Sequence, residues 1–295
     1  MIIEGIILAF LALFAWGFGD FIIQKAVRVI GDFRTLFWIG IAGSIVLFPF
    51  IQDELGVTFA NPVFLILLSL TSVVIFFAAL FDFEALKRGK IAIVEPVLGV
   101  ELPVVVALSV IFWSERLSLL QALLIATTFF GIVLAVTIHH THLHYHKRIF
   151  ERGVILAGAG SIIMGLVNFL IGVSSQKISP LMAIWFTNTF FTILCVIYLI
   201  AKGEFRGIIT DIKRHPRLVL VVSVLDNAAW LFYAFATSLI PIAIATTISE
   251  SYIAITVILG IFINREKLKY HQVVGVIIAI LSIILLSAVT SNLMK

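Results

Sequence analysis

Four residues with carboxyl side chains lie deep inside long apolar stretches of this sequence: Glu95, Glu101, Asp226 and Glu250. A carboxylate at the centre of a bilayer costs about 2.5 to 3.5 kcal/mol on insertion scales, so each one needs a reason to be there. No Lys or Arg lies within these stretches. We therefore expect the four groups either to hold a proton or to receive a cation from outside, as a carrier requires. A protonated side chain that donates a hydrogen bond between helices is the alternative.

Aromatic residues accompany these carboxyl groups at helical spacing. Asp226, Trp230 and Tyr233 fall on one helix face through spacings of four and three, and Trp16 and Asp20 share a face in the same way. Aromatic rings beside carboxylates attract flat or cationic organic solutes by stacking and cation–π interaction. Ordinary packing and interfacial tryptophan belts are the competing interpretation.

Proline and glycine interrupt the stretches that carry the glutamates. Pro96, Gly99 and Pro103 surround Glu101, and Pro103 removes the helical donor of the Gly99 carbonyl. Free carbonyls at this depth are tolerated where they line a cavity. Around Glu250 lies the most polar run inside an apolar stretch, residues 246–251. We thus predict helix breaks or gating positions at Pro96, Gly99, Pro103 and Pro241, and additional solute-binding or proton-binding side chains at Thr247 and Ser251.

The composition defines the elements that must position these groups. The chain has 295 residues, of which 62% are hydrophobic and 12% charged, and its mean hydropathy is +1.20. A soluble domain carries about 25% charged residues, so an integral membrane protein is indicated. Ten apolar runs of spanning length predict an all-α protein with ten transmembrane helices, at residues 2–23, 35–51, 63–83, 91–113, 119–138, 153–173, 181–200, 218–238, 242–263 and 273–290.

Several function classes are excluded by the same sequence. A membrane protein of this composition is neither a soluble enzyme nor a nucleic-acid binder, and Cys195 has no second cysteine with which to form a disulfide. The sequence contains no P-loop, no G-x-S-x-G, no H-E-x-x-H and no C-x-x-C motif. We therefore expect no catalytic residues, no cofactor and no ATP-driven transport by this chain alone.

The basic residues predict the orientation of the ten spans. Of the 20 Lys and Arg residues, 17 fall in connections on one side and 3 on the side that holds the termini. By the positive-inside rule, the basic side faces the cytoplasm and both termini lie outside. We thus expect a multi-pass protein of the cell membrane.

Three further acidic residues, Asp20, Asp82 and Glu84, lie near the predicted cytoplasmic span ends. An interfacial charge or an ion pair with Lys25, Lys87 or Arg88 is the ordinary interpretation of all three. Asp20 is also kept as a site candidate because it shares a helix face with Trp16.

The two halves of the chain repeat each other. Gly5-Ile-Ile-Leu-Ala matches Gly153-Val-Ile-Leu-Ala at an offset of 148, and Glu115-Arg-Leu-x-x-x-Gln matches Glu266-Lys-Leu-x-x-x-Gln at 151. Each half contains five spans, so the halves must have opposite orientations in the membrane. Inverted repeats of this kind build many secondary carriers, with the site at the midplane. We predict one five-helix repeat over 1–138, a His-rich cytoplasmic connector over 139–152 and a second five-helix repeat over 153–295.

Three features accompany the two five-helix halves: the Ala85-Leu86 to Ala92 entry into the fourth span, Pro103 within it, and the Glu-Arg/Lys-Leu endings after the fourth and ninth spans. With these features the chain resembles the EamA branch of the drug/metabolite transporter superfamily. The resemblance implies a substrate-carrying role and a central cavity lined by spans 1, 3, 4, 6, 8 and 9, with spans 5 and 10 packing the halves together. The residue that matches Pro103 in the second half is Ala254, which departs from a symmetric pattern.

Five of the seven histidines cluster between the two halves, as His139, His140, His142, His144 and His146. Imidazoles bind transition metals, so this segment makes a divalent-metal transporter with a regulatory loop the alternative hypothesis. A solvated connector with incidental metal affinity is the ordinary interpretation, because no span contains a histidine.

The residues and the resemblance together predict a secondary active transporter of small organic metabolites or drug-like solutes. We expect alternating access, export from the cell, and proton coupling through the mid-membrane carboxylates. The expected partners are the solute, protons and the lipid bilayer, with no nucleic acid, and the protein is expected to be a monomer or a homodimer. A membrane scaffold or receptor that does not transport is the remaining hypothesis, and it has no need for carboxylates at this depth.

Overall fold

The computed structural model describes residues 1–88, 99–136, 147–255 and 269–293. Within these ranges the chain forms eleven α-helices and no β-strand. The helices are α1 Ile2–Val29, α2 Asp32–Ala60, α3 Pro62–Arg88, α4 Glu101–Phe112, α5 Leu119–Val136, α6 Lys147–Lys177, α7 Pro180–Ala201, α8 Gly207–Arg214, α9 Pro216–Leu239, α10 Ile242–Ser249 and α11 Tyr270–Leu293.

Seven of these helices contain stretches that are long and apolar enough to cross a membrane, and they are α1, α2, α3, α6, α7, α9 and α11. Three shorter apolar helices, Glu101–Phe112, Leu119–Ala135 and Ile242–Ile255, lie at the predicted fourth, fifth and ninth spans. Large apolar side chains such as Phe50 and Phe112 point outward, more than 60% exposed, as lipid contact requires. The all-α fold with multiple apolar helices agrees with the sequence, and the count of ten spans stays a prediction.

Two connections differ from expectation in their local structure. The connector predicted over residues 139–152 overlaps the next helix, because α6 already starts at Lys147. The five clustered histidines, His139 to His146, lie outside the described residues. Between α7 and α9 the chain forms the short helix α8, which an ion pair of 2.9 Å between Arg34 and Asp211 joins to α2.

Helices from the two halves pack against each other in a symmetric pattern. The main contacts pair α1 with α9, α3 with α6, α2 with α7 and α5 with α11. In the two repeats, α1 corresponds to α6, α2 to α7, α3 to α9 and α5 to α11. Exchanging the repeats therefore converts the α1–α9 pair into the α6–α3 pair and leaves the α2–α7 and α5–α11 pairs unchanged. This is the packing that two inverted repeats produce around a two-fold axis.

Small residues allow the close approach of α5 and α11. A Cβ atom at Gly131 would lie 2.7 Å from the backbone nitrogen of Ala279, and one at Gly275 would collide with the backbone of Ala135. The spacing of four on each helix, Gly131 to Ala135 and Gly275 to Ala279, is the small-xxx-small pattern of membrane helix pairs. The two halves are thus held together by a seam that has no room for larger side chains.

We predict that Gly275→Leu lowers the thermal unfolding temperature of the purified protein. The added side chain forces α5 and α11 apart, and overpacking of this kind costs about 1–3 kcal/mol. Gly56→Leu is the matched control, because Gly56 is a helical residue in α2 with no atom within 4 Å of the position of its absent Cβ. Equal unfolding temperatures for the two variants would contradict the seam.

Candidate functional site

A cavity of about 80 Å³ lies between the two halves. Of the sequence-predicted candidates, it brings together Trp16, Asp20, Glu101, Asp226, Trp230 and Glu250. Its described lining comes from the first, second, third, fourth, sixth, seventh, eighth and ninth apolar segments, and includes none from α5 or α11. The six segments implied by the resemblance all contribute, and α2 and α7 add residues to them.

The side chain of Asn168 joins the glutamates of the two halves. Its Nδ2 atom donates hydrogen bonds to Oε1 of Glu250 at 3.0 Å and to Oε2 of Glu101 at 3.3 Å. All three residues are buried, with exposures of 1%, 4% and 4% in the order Asn168, Glu101, Glu250. A carboxylate can only accept, so the amide nitrogen with its two hydrogens is the group that suits this position. One side chain of α6 therefore links the first repeat to the second.

Tyr233 binds the backbone of Asn168. Its hydroxyl donates to the backbone carbonyl of Asn168 at 3.0 Å and lies 2.8 Å from the Thr246 hydroxyl. Tyr233 is fully buried and does not line the cavity. Tyr233 therefore stabilises the packing of α6 against α9 and α10 without contacting the cavity.

Asp20 and Tyr252 form a second polar pair in the cavity, in which the Tyr252 hydroxyl hydrogen-bonds the Asp20 carboxyl group. This pair is the repeat counterpart of Asn168 and Glu101. The offset of 148 relates Asp20 to Asn168, and the offset of 151 relates Glu101 to Tyr252. The same contact between the first helix of one repeat and the fourth helix of the other thus occurs twice. Asp20 supplies a carboxyl group in one copy, and Asn168 supplies an amide in the other.

Aromatic rings surround the carboxyl groups. The Trp16 ring lies 5.2 Å from Trp230, 5.5 Å from Tyr233 and 6.1 Å from Tyr252, measured between ring centroids. Centroid separations of about 4.5–7 Å are those of favourable aromatic pairs. Trp16, Trp230 and Tyr252 also line the cavity, so their rings are available to a bound solute as well as to one another.

Comparison with known proteins identifies the family. A family model described as the EamA-like transporter family matches residues 3–137 and, a second time, residues 151–288. The chain belongs to the EamA-like transporter family. A crystal structure of a protein with 12% sequence identity superposes with a TM-score of 0.72 over 99% of both chains, which shows a common fold. No curated protein matches the sequence.

The two matches to the EamA-like family agree with the repeat seen in the helix breaks. The chain turns at residues 99–100, just before α4, and again at 250–251, just after α10. The offset of 151 relates these two turns, and each lies beside or on one of the two glutamates. Gly99 lies in the first turn, and Pro241 is the N-cap residue of α10. A helix that begins after one turn and a helix that ends before the matching turn agree with an inverted repeat.

Pro103 has a different position from the one expected. It lies in the first turn of α4, where its missing N–H group leaves no helical bond unmade, and not in the middle of a continuous helix. The Gly99 carbonyl, expected to be free, accepts a hydrogen bond from the Leu102 N–H at 3.4 Å. The expectation failed because the helix begins only at Glu101. Glu95 and Pro96 lie outside the described residues.

Several predicted residues lie away from the cavity lining. The Thr247 hydroxyl donates to the Ala243 carbonyl within α10, and the Ser251 hydroxyl, in the turn after α10, donates to the Thr247 carbonyl, at 2.7 Å each. Trp185, which is not one of the predicted residues, also lies away from the lining and donates from its ring nitrogen to the Ser44 carbonyl at 3.1 Å, between α7 and α2. These polar groups are satisfied within the protein, as buried hydroxyl and indole groups must be.

Asp82 and Glu84, predicted to behave alike, are separated by the structure. Glu84 lies 3.9 Å from Lys87, as an interfacial charge pair should, and Lys87 also binds Asp32 at 3.1 Å. Asp82 instead lines the cavity, and its Oδ1 has no hydrogen-bond partner among the described residues. The interfacial interpretation is therefore wrong for Asp82. Asp20 also lines the cavity, which favours its second interpretation, as a site residue.

Sequence reasoning missed Asn168 and Tyr252 as well as Asp82. An amide in an apolar helix gives no signal by itself, and the only hint was the offset of 148 that relates Asn168 to Asp20. The described residues contain no group of three or more His, Cys, Asp or Glu side chains that could hold a metal ion. The clustered histidines on which the metal-transporter hypothesis rests lie outside these residues, so that alternative stays a hypothesis.

Glu115, in the connection between α4 and α5, closes one end of the structure. Its carboxyl oxygens accept hydrogen bonds from the N–H groups of Ile242 and Ala243, at 2.5 and 3.0 Å, at the start of α10. Nearby, Trp113 donates to the Gln176 side chain at 2.6 Å, which in turn donates to the Thr237 carbonyl at 2.7 Å. The first repeat is thereby tied to the second at the end where the chain termini lie.

We predict a pH-dependent contribution of Glu115 to stability. Burial raises the pKa of its carboxyl group above the usual 4.5, and the two backbone donors lower it by less. Because the folded protein binds this proton more tightly than the unfolded chain, the stabilisation is complete below pH 4.5 and is lost as the pH rises through the raised pKa.

Thermal unfolding of wild type and Glu115→Gln across this pH range measures the effect. The unfolding temperature of wild type, relative to the variant, should fall as the pH rises. Asp53→Asn is the matched control at an exposed carboxyl group. A difference that grows with pH would show that the backbone donors dominate over burial.

Proposed function

We propose that this protein is a secondary active transporter that moves a small organic solute by alternating access, coupled to protons through Glu101 and Glu250. A transporter-like membrane protein is what membership in the EamA-like family already establishes. The observation that carries the finer proposal is the Asn168 amide, which binds one glutamate from each half within a cavity between the halves.

The shared amide makes the two carboxyl groups interdependent. Both accept from the same nitrogen atom, so their oxygens lie near each other in a buried space. Two carboxylates that share a site repel, and one of them is held protonated unless a cation enters. A solute that releases this proton on binding is exchanged for it, which is the event that proton coupling requires.

The cavity and the closed end define which way the site faces. The lining includes Ile23, Leu36, Ile39 and Phe83, from the helix ends opposite to the one tied by Glu115. With the orientation predicted from the basic residues, those helix ends face the cytoplasm. We infer that the structure is the inward-facing state, and that opening to the outside breaks the Glu115 bonds to α10. A proton gradient directed into the cell then drives the exchanged solute outward, which makes the protein an exporter.

The proposal is tested by flux in proteoliposomes with an imposed pH gradient. The solute is first chosen by a thermal-shift screen over amino acids, nucleosides, sugars and organic cations. We expect Glu101→Gln and Glu250→Gln to abolish gradient-driven flux, because an amide cannot release a proton. In these two variants, solute exchange at equal pH on both sides should decrease less than gradient-driven flux.

Asp53→Asn is the matched control, since it makes the same change at an exposed carboxyl group outside the cavity. It should retain the flux of wild type. Gradient-driven flux that is unchanged in both glutamine variants would disprove coupling through these two residues, provided that thermal unfolding shows the variants to be folded.

A further inference from the structure

The chemistry of the cavity wall bears on the class of solute, an inference that rests on the proposed function of this cavity. Among the described lining residues there is no Lys, Arg or His. Five carboxyl groups line the same space, from both halves of the chain, and they are Asp20, Asp82, Glu101, Asp226 and Glu250. An anionic solute would meet this wall with like charge and no counter-ion, whereas a cation would meet complementary charge.

Unpaired acceptors in the wall point to a solute that carries hydrogen-bond donors. Asn168 is 1% exposed and lines the cavity, yet its Oδ1 atom has no hydrogen-bond partner among the described residues. The Oδ1 atom of Asp82, which also lines the cavity, likewise has no hydrogen-bond partner among the described residues. A buried acceptor without a donor costs about 1–3 kcal/mol, so a ligand that brings N–H groups relieves a cost already present.

The aromatic residues add a third constraint. Trp16, Trp230 and Tyr252 line the cavity, with ring centroids of Trp16 5.2 Å from Trp230 and 6.1 Å from Tyr252. Aromatic faces attract organic cations through the ring quadrupole and give apolar contact to the carbon skeleton of the same ligand. Inorganic cations gain nothing from the carbon contact, and the described residues hold no metal-binding cluster.

We propose that the transported solute is an organic cation with a protonated primary or secondary amine. The ammonium group binds the carboxyl groups around Asp20, Asp82 and Asp226 and donates an N–H to Asn168 Oδ1. The carbon skeleton packs against Trp16 and Trp230. The positive charge of the ammonium ion among the five carboxyl groups of the cavity favours release of a proton from Glu101 or Glu250, so the charge within the cavity is unchanged by the exchange.

Four probes of one skeleton separate the features of this ligand. They are phenylethylamine, which is a primary ammonium ion at pH 7; its N,N,N-trimethyl analogue, with the charge but no N–H; 2-phenylethanol, with neither charge nor N–H; and 3-phenylpropionate, an anion. Binding of each to the purified full chain in detergent is measured by calorimetry and thermal shift. We expect phenylethylamine to bind at least about tenfold more tightly than the alcohol, the trimethyl analogue to fall between them, and the anion not to bind.

A variant comparison locates the binding in the cavity. Asp226→Asn should weaken phenylethylamine binding by about tenfold and leave the weak binding of 2-phenylethanol unchanged, because it removes a charge and retains the shape of the side chain. Asp53→Asn, outside the cavity, should change neither. If Asp226→Asn does not fold, Asp20→Asn takes its place, and the probe series on wild type remains decisive.

The proposal is overturned if the alcohol or the anion binds as tightly as phenylethylamine, or if neither ammonium probe binds at millimolar concentration. Equal affinity for the primary and trimethyl probes would disprove the hydrogen bond from the ligand to Asn168 Oδ1. Failure of the transport proposal gives a different result: ammonium binding that depends on Asp226, with no flux driven by a pH gradient. Proton-coupled flux of a neutral solute without ammonium binding would overturn only the solute class.

Discussion

A carboxyl group in the apolar interior of a helical membrane protein must be hydrogen bonded, protonated or paired with a cation, and Asn168 meets part of this requirement for Glu101 and Glu250 together. Its amide is tolerated there because Asn168 is buried within the protein and its Nδ2 atom donates to both carboxyl groups. Tyr233 fixes the backbone of Asn168 from the α9 side, so the amide, α4 and α10 are held in one arrangement. The position of both glutamates depends on this contact.

The inverted repeat explains why such an arrangement exists and why it is not symmetric. The pairs Asp20–Tyr252 and Asn168–Glu101 occupy related positions, but one places the carboxyl group on the first helix of a repeat and the other on the fourth. Asp20 takes the place of Asn168, and Tyr252 that of Glu101, so the two copies of the contact differ in charge. Under the proposed alternating access, this difference would give a proton or a cation different affinity in the inward and outward states.

The same repeat distributes rigid and breakable contacts. The α5–α11 seam is packed through backbone contacts of Gly131 and Gly275, which leave no room for sliding. The end closed by Glu115 is held by hydrogen bonds to two N–H groups, which can be exchanged for water or other donors at small net cost. In the proposed alternating access, opening would occur at this hydrogen-bonded end, while the seam would keep the two halves together.

The sequence alone determined the properties that depend on local pattern. Apolar runs predicted the positions of the long apolar helices that the structure describes, and helical spacing placed Asp226 with Trp230 and Asp20 with Trp16. The resemblance to the EamA family is confirmed by both family matches. These properties follow from composition and from the 3.6-residue period of a helix, which act within one segment.

Only the tertiary structure decided which faces meet. It brought Asn168 to both glutamates and Tyr252 to Asp20, and placed Asp82 in the cavity while Glu84 stayed with Lys87. It showed that the Thr247 and Ser251 hydroxyls donate to backbone carbonyls of α10, and that Pro103 interrupts no helix because α4 begins at Glu101. The physical reason is that the spacing within a helix gives the direction of each side chain, whereas its partner depends on the packing of helices more than 60 residues away along the chain.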